Sequence, residues 1–313
     1  MAAPSLPLPG NTVIEEELRF SKVTFWTRLR RHKLAVAGLA VLALMIFAAI
    51  FAKQLAPFDP NAIDNVHWQG TPLPPCFQDS TLCGGHLLGT DEVGRDLLSR
   101  LLFGARISLT VGLFAVLMEV LIGTTLGAIA GYYGGLVDSA IMRVTDVFLS
   151  IPLLPLLLVL TAIVAASSTK AALSFGVIVI IIGALSWPTV ARLVRASFLS
   201  LREREFAEAA RAVGNSDRRI IFRHLLPNAI APIVVQATLD IANVIIVEST
   251  LSFLGFGIQP PTASWGNMLA NAQSNLSIAW WAAVFPGLCI LVTVLAINYI
   301  GDGLRDALDP NMG

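Results

Sequence analysis

Lysine is scarce in this chain. Only Lys22, Lys33, Lys53 and Lys170 occur among 313 residues, and none of them follows a glycine. A Walker-type phosphate loop needs a Gly-Lys step, because backbone amides wrap the phosphates while the lysine reaches them. The chain therefore supplies no ATPase of that type. Histidine is equally rare, with His32, His67, His86 and His224 and no His-Glu-x-x-His pattern, which argues against zinc hydrolysis. A Ser-Gly dipeptide and a Gly-x-Gly-Asp pattern are also missing, and with them the signatures of two intramembrane protease classes. Charge itself is thin. Charged residues make up 13% of the chain and sum to a net charge of zero, against roughly 25% in soluble domains. Nothing in that balance argues for nucleic acid as a partner.

What fills the space is apolar. Hydrophobic residues account for 55% of the chain, and they gather in six long runs: 34–52, 107–130, 147–166, 171–191, 229–251 and 280–300. A helix needs about 20 apolar residues to cross about 30 Å of hydrocarbon. Backbone groups in lipid must be satisfied within their own segment, so each run reads as a transmembrane helix. The runs are too long for barrel strands and do not alternate. The fold class is thus an all-α polytopic membrane protein with six spans. The first run is longer than the core of a signal peptide and is followed by Lys53-Gln54, so it reads as an uncleaved signal-anchor.

The basic residues are sorted along the chain. Six precede the first run: Arg19, Lys22, Arg28, Arg30, Arg31 and Lys33. Eight arginines and no lysine lie between 192 and 228, and the loop 252–279 has no basic residue. Because basic loops stay on the cytoplasmic side, both termini (1–33 and 301–313) and the 192–228 segment are expected there. The 53–106 segment is then extracytoplasmic, and 107–300 forms a five-helix core. The start of the chain, 1–10, is Pro-rich and reads as disordered. Residues 12–33 read as a surface helix with Phe20, Phe25, Trp26 and Leu29 near one face.

The segment 201–227 reads LREREFAEAARAVGNSDRRIIFRHLLP. Phe206, Ala209, Ala210 and Val213 fall at helical spacing and predict one narrow apolar face, with Glu203, Glu205, Glu208 and Arg211 around the rest. Gly214 is placed to end that helix in the left-handed conformation. Ser216 and Asp217 predict the start of a second helix, with Pro227 following its end. A solvated connector is the plain alternative, but a connector does not need an apolar face.

Here a resemblance appears. Glu208-Ala209-Ala210, three residues, Gly214, then Leu226-Pro227 resembles the EAA loop of binding-protein-dependent ABC importer permeases. His224 departs from it, since the family often has Ile there. Further blocks resemble the dipeptide and oligopeptide permeases, in particular their C-type subunit. These are Leu88-Gly89-Thr90-Asp91 with Gly94-Arg95-Asp96, Gly104 through Leu109, Gly131-Tyr132-Tyr133-Gly134-Gly135 with Asp138 and Arg143, Glu248 through Gly255, Gln259-Pro260-Pro261-Thr262 with Ser264-Trp265-Gly266, and Gly301 through Asp306. The resemblance implies a type I ABC importer permease fold in the inner membrane. It also implies that Phe206, Glu208, Ala209, Ala210, Val213, Gly214, Leu226 and Pro227 couple the chain to ATPase partners. Those two ATPase subunits would use ATP and magnesium, and this chain would need no cofactor. A second, B-type permease subunit and an extracytoplasmic binding protein are implied too. Similar subunits carry dipeptides, oligopeptides, glutathione, nickel chelates and some sugars.

Glu119, Asp240 and Glu248 fall inside predicted spans. Intramembrane acids are costly and count as functional candidates. Gln236, Asp240, Asn243 and Glu248 could line a solute path, or Asp240 could be an acid held structurally by its neighbours. Glu119, Asp240 and Glu248 would instead carry protons if the chain were an ion-coupled secondary transporter. Cys76 and Cys83 are spaced for a disulfide in an oxidising compartment, with a metal site using His67 or His86 as the alternative. Cys289 reads as inert packing. Pro152, Pro155 and Pro188 predict kinks, and Gly123 with Gly127 predicts close helix packing.

Overall fold

The computed structural model describes residues 29–30, 32–167 and 175–308. The Pro-rich start, most of the expected surface helix at 12–33, the turn at Lys170 and the end of the C-terminal tail lie outside the described residues.

The regular structure of the described residues is helical, apart from two isolated bridges that pair Ile63 with Arg95 and Thr90 with Asp96. Helix α1 (Lys33–Ile50) matches the first apolar run, and the short α2 (Ala52–Leu55) follows it. An irregular segment leads to α3 (Leu97–Tyr133). Then come α4 (Gly135–Ser150), α5 (Leu153–Ser167) and α6 (Phe175–Leu201). The short α7 (Glu205–Ala212) precedes α8 (Asp217–Ile220), a π-helical segment (Ile221–Leu225) and α9 (Leu226–Phe253). Helices α10 (Trp265–Ala272) and α11 (Trp281–Leu308) close the chain.

Five helical stretches are long and apolar enough to cross a membrane, and α4 with α5 makes a sixth if the bent pair is one span. The helices overrun the apolar runs because polar caps can satisfy their ends once they leave lipid. Helix α3 starts ten residues before position 107, where the Asp96 carboxylate accepts from the Ser99 amide at 2.7 Å. Its 37 residues span about 55 Å. The 53–106 segment is therefore not one loop, since its last ten residues are the first turns of α3.

The third run is corrected most. The chain bends by 85° between α4 and α5, inside the expected 147–166 span. Pro152 stands at that break and disfavours helical backbone at Ile151. Pro155, near the start of α5, and Pro188, buried within α6, do not interrupt their helices.

The bundle is built around α3 and α6. Gly123, Gly127 and Gly131 lie four residues apart on one stripe of α3. A Cβ on Gly123 would stand 2.7 Å from Val190 Cβ, and one on Gly131 would stand 2.6 Å from Phe198 Cβ. A Cβ on Gly127 would collide with the Ala191 carbonyl. Gly183 of α6 returns the contact, with the Ala115 carbonyl 2.8 Å from where its Cβ would lie. Without a hydrophobic force between helices in lipid, such close approach is what holds them. Helix α1 packs on α11 in the same way, through Gly38 against the Ala296 backbone. Large apolar side chains such as Leu44, Phe47, Leu117 and Leu121 point outward, as lipid-facing residues do.

This packing makes a prediction. Gly127→Leu must push α6 away or distort it, at about 1–3 kcal/mol of overpacking or more. Its membrane level and thermal transition in detergent are expected to fall, whereas Gly176→Leu, with open space around it, should melt like the parent. Equal transitions for the two variants would show that the stripe sets no helix spacing.

Candidate functional site

Two places on this frame bear on function. The first is the end of the bundle where α7 lies. Asp138 of α4 makes a two-pronged ion pair with Arg195 of α6, its Oδ2 accepting from Nη2 at 2.6 Å, and Arg192 pairs with Asp146 nearby. Arg202 donates to the Gly131 and Tyr132 carbonyls at 3.1 and 3.2 Å, closing the end of α3. The Tyr132 hydroxyl donates to Asp217 at 2.7 Å. Helix α7 is seated by Arg211, which donates to the Arg202 carbonyl at 2.8 Å, and by Ala207 and Ala210, which pack on α6 and α8.

The orientation of α7 departs from the expected single face. Ala207 and Ala210 turn inward onto Phe198, Ile220, Ile221 and Leu225. Phe206, Ala209 and Val213 face outward, with Val213 84% exposed. Ala210, at 6% exposure, belongs to the chain's own core and not to the outward stripe. The physical reason is size: the gap between α6 and α8 admits a methyl group and not a phenyl ring. Glu208 is exposed beside the stripe. Phe222, 61% exposed among Arg218, Arg219 and Arg223, extends the outward apolar surface and was not singled out by sequence. Its signal was an aromatic inside an arginine run.

Gly214 follows Val213 with φ +80°, and Arg211, Asn215 and Ala210 complete the turn by hydrogen bonds. Two further expectations are corrected. Ser216 stands at the start of α8, but its side chain caps nothing. The second helix does not stop before Pro227. It runs on through the π-helical segment into α9, with Pro227 in the first turn of α9. The wider π turn, closed by Leu226 N–H on the Ile221 carbonyl, accommodates a ring that a regular helix would exclude. Leu226 is half-buried and Pro227 exposed, while His224, where the family often has Ile, sits half-buried at the edge of the core.

The second place is a cavity of about 510 Å³ between the α4–α5 break, α6 and α9. Its polar lining is Glu119, Ser186, Thr189, Asp240 and Asn243. The remaining expected path residues part company. Gln236 donates to Asp240 Oδ1 at 2.9 Å and lines a separate groove with Arg305. Glu248 does not line this cavity. It is fully buried and accepts from the Ser252 hydroxyl at 2.7 Å on Oε1, with Ser108, Ser249 and Ser264 as polar neighbours, while its Oε2 has no donor among the described residues. That is a structural node joining α3, α9 and the start of α10. Glu119, on α3, lines this cavity and was not among the residues expected along the path.

Residues 123–313 match the family described as binding-protein-dependent transport system inner membrane component. The chain belongs to that family. Residues 23–75 match the N-terminal transmembrane domain of oligopeptide transport permease C. The chain is 42% identical to a di/tripeptide transport system permease protein DppC of Pseudomonas aeruginosa, over 92% of this chain and 91% of the relative. It is 43% identical to the glutathione transport system permease protein GsiD of Pectobacterium atrosepticum, over 92% and 90%. A solved structure of the MetNI methionine ABC transporter, titled as inward facing, superposes with TM-score 0.53 at 18% identity, over 66% of this chain and 95% of that one. This likeness shows the type I ABC importer permease fold. The chain is thus a multi-pass membrane permease component.

The segment between α2 and α3 of this permease is a compact polar structure. Cys76 and Cys83 form a disulfide, with Cα atoms 4.9 Å apart. The imidazoles of His67 and His86 turn to carboxylates and not to these sulfurs, and only the His86 backbone carbonyl lies near one, 3.3 Å from Cys76 Sγ. The buried His86 bridges Asp96 at 2.8 Å and Asp64 at 3.2 Å, while His67 reaches Asp64 at 2.8 Å. Burial works against a charged imidazole at His86, but the Asp96 and Asp64 carboxylates outweigh it and hold its pKa above the usual value. Burial likewise pushes Asp64 up, and hydrogen bonds from His67, Val66 and His86 overcome it, leaving its pKa well below the carboxylate norm.

The sign for stability follows. His86 stabilises the fold fully below its unfolded pKa of about 6.5 and loses that contribution as pH rises through its raised folded value. Asp64 stabilises it above the carboxylate norm and loses that contribution only in strong acid. The thermal transition in detergent of the parent is expected to exceed that of His86→Gln most at about pH 6, with the gap narrowing toward pH 9. A gap that widens with pH would show that His86 is held neutral.

Proposed function

We propose that this chain is one of two transmembrane subunits of an ATP-driven importer for peptides. The observation that carries the reading is the outward face of α7. A short helix at one end of the bundle presents Phe206, Ala209 and Val213 as exposed among the described residues, and Phe222 is exposed as well. Exposed apolar side chains at a polar end of a membrane bundle fit a protein partner. The family supplies its kind, an ATPase subunit that would hold the nucleotide and magnesium. Ala210, Gly214, Leu226 and Pro227 support that face from behind. A B-type second permease subunit completes the path, and a soluble binding protein delivers solute to the opposite end. The solute path is lined by Asp240 and Asn243 with Gln236 behind them, and Glu248 serves packing.

Peptides are the favoured solute because relatives at 42% and 40% identity carry di/tripeptide and dipeptide names. Glutathione is the second reading, favoured by the GsiD relative at 43% identity. Glutathione is itself a modified tripeptide, so both readings ask for a site that accepts an ammonium and carboxylates. Transport assays with the matching binding protein would separate them.

Two measurements test the proposal. Phe206→Asp and Val213→Asp alter only the outward face, so normal membrane levels with weakened co-purification of the ATPase subunits and at least about tenfold slower uptake are expected, the order of a lost hot-spot contact. Ala210→Asp should instead lower the protein's own level, because it buries an unpaired charge. Full assembly and full uptake by the first two variants would make α7 a connector.

The second measurement concerns sidedness. The basic 192–228 segment supports a cytoplasmic position for α7, with both termini on that side. A cysteine at Ser274 is expected to react with an impermeant thiol reagent from outside sealed cells, and one at Arg218 only after lysis. Labelling of Arg218→Cys from outside would reverse the topology.

A further inference from the structure

Glu119 and Asp240 face each other across the interface of α3 and α9, and both are more than nine-tenths buried. Their carboxyl groups lie within hydrogen-bonding reach of one another. Gln236 satisfies Asp240 Oδ1, but Glu119 Oε2 and Asp240 Oδ2 have no donor among the described residues. No lysine, arginine or histidine lines the cavity they border. Two acids side by side at membrane depth are costly, and a buried acceptor without a donor adds to the cost. A single proton shared between the two carboxyl groups would leave them with a net negative charge that no cation in the cavity lining offsets. What would answer them is a group with several N–H donors entering from the cavity.

We propose that Glu119 and Asp240 form a binding site for a primary ammonium group, of the kind a peptide carries at its amino terminus, in the cavity between α5, α6 and α9. The proposal rests on the peptide importer reading and deepens it. Three ammonium protons match Glu119 Oε2, Asp240 Oδ2 and one neighbouring neutral oxygen on Asn243 or Ser186. A charge-assisted hydrogen bond in a dry site is stronger than in water. The cavity volume, about 510 Å³, falls in the ~300–1,000 Å³ range of small-molecule sites. Its apolar walls, including Phe148, Ile151 and Ile182, suit side chains of varied size without selecting one. A divalent metal fits less well, because hard cations take six or more oxygens and this lining is mostly apolar.

The test uses the full chain in its native membranes. A hydrophobic carbodiimide labels buried carboxyl groups, and mass spectrometry reads adducts at Glu119 and Asp240. Dialanine should reduce labelling about tenfold, the scale of one charged hydrogen bond, while N-acetyl-dialanine and sodium chloride at equal concentration should not. Equal protection by sodium or by the acetylated peptide, or no protection at all, would overturn the site. In uptake assays, Glu119→Gln and Asp240→Asn should each slow dialanine import about tenfold at normal membrane level and normal ATPase co-purification, and Asp240→Glu should restore most of it. Wild-type uptake rates in the Gln/Asn double variant would also overturn the site while leaving the importer reading intact. Dialanine protection in membranes that import no peptide would uphold the site and count against the importer reading.

Discussion

The backbone approach of α3 to α6 at Gly123, Gly127 and Gly131 is the constraint on which the rest of the bundle depends. The three glycines remove every side chain between two helices, so that Val190, Ala191 and Phe198 rest on bare backbone. Glu119 is the next member of the same four-residue series. Where the glycines end, a long side chain must be accommodated, and the cavity opens at that level beside Ser186. Further along, Gly183 against the Ala115 carbonyl brings the helices together again. One repeat of small residues, interrupted once by an acid, thus fixes both the helix spacing and the place where polar space is left within it.

The buried acids show how the surroundings decide a role. Glu248 and Asp240 lie on the same helix, two turns apart, and both are buried. Serine hydroxyls from α3, α9 and the loop before α10 cluster around Glu248, and Ser108 also accepts from the Trp265 amide at 3.3 Å. Trp265 in turn donates to the Leu101 carbonyl at 3.2 Å. That acid is enclosed by groups whose positions the fold already fixes. Asp240 accepts from one amide on Oδ1, its Oδ2 is buried without a donor among the described residues, and the residue borders the cavity. An enclosed acid holds helices together, whereas an acid left facing a cavity is free to interact with what enters it.

Much of this was legible in sequence, for identifiable reasons. Hydrocarbon thickness dictates the length of an apolar run, so the spans could be located from composition. Their ends could not, because Asp96 and the arginines past 191 let α3 and α6 continue where lipid stops. Gly214 was readable because few residues other than glycine tolerate φ +80°. The facing of α7 was not readable. In an eight-residue helix rich in alanine, apolar positions occur on most sides, and the choice falls to what α6 and α8 present. Here Phe198, Ile220 and Leu225 leave room for Ala207 and Ala210 alone, so the larger Phe206 stays outside, contrary to ranking by hydrophobicity. The partnership of Glu119 with Asp240 spans 121 residues of sequence (240 − 119) and depends on how α3 meets α9, which no local pattern encodes.

The same contacts bear on how a push at α7 would reach the cavity. Helix α7 is not hung on a flexible loop. Arg211 donates to the Arg202 carbonyl, Arg202 donates to the last carbonyls of α3, and Tyr132 at the end of α3 holds Asp217 at the start of α8. Ala207 and Ala210 are packed against α6 and the π-helical segment that leads into α9. A displacement of α7 must therefore carry the ends of α3, α6 and α9 together or break several charge-assisted hydrogen bonds in one step. Those three helices provide Glu119, Ser186 with Thr189, and Asp240 with Asn243. The α3–α6 pair is locked by its glycines, which leaves two interfaces as the compliant ones. These are α9 against α3, where the acids meet, and the 85° break between α4 and α5. In an ATP-driven importer, work done on α7 would accordingly appear as a change in the separation of Glu119 and Asp240, the two groups whose unsatisfied oxygens the solute would occupy.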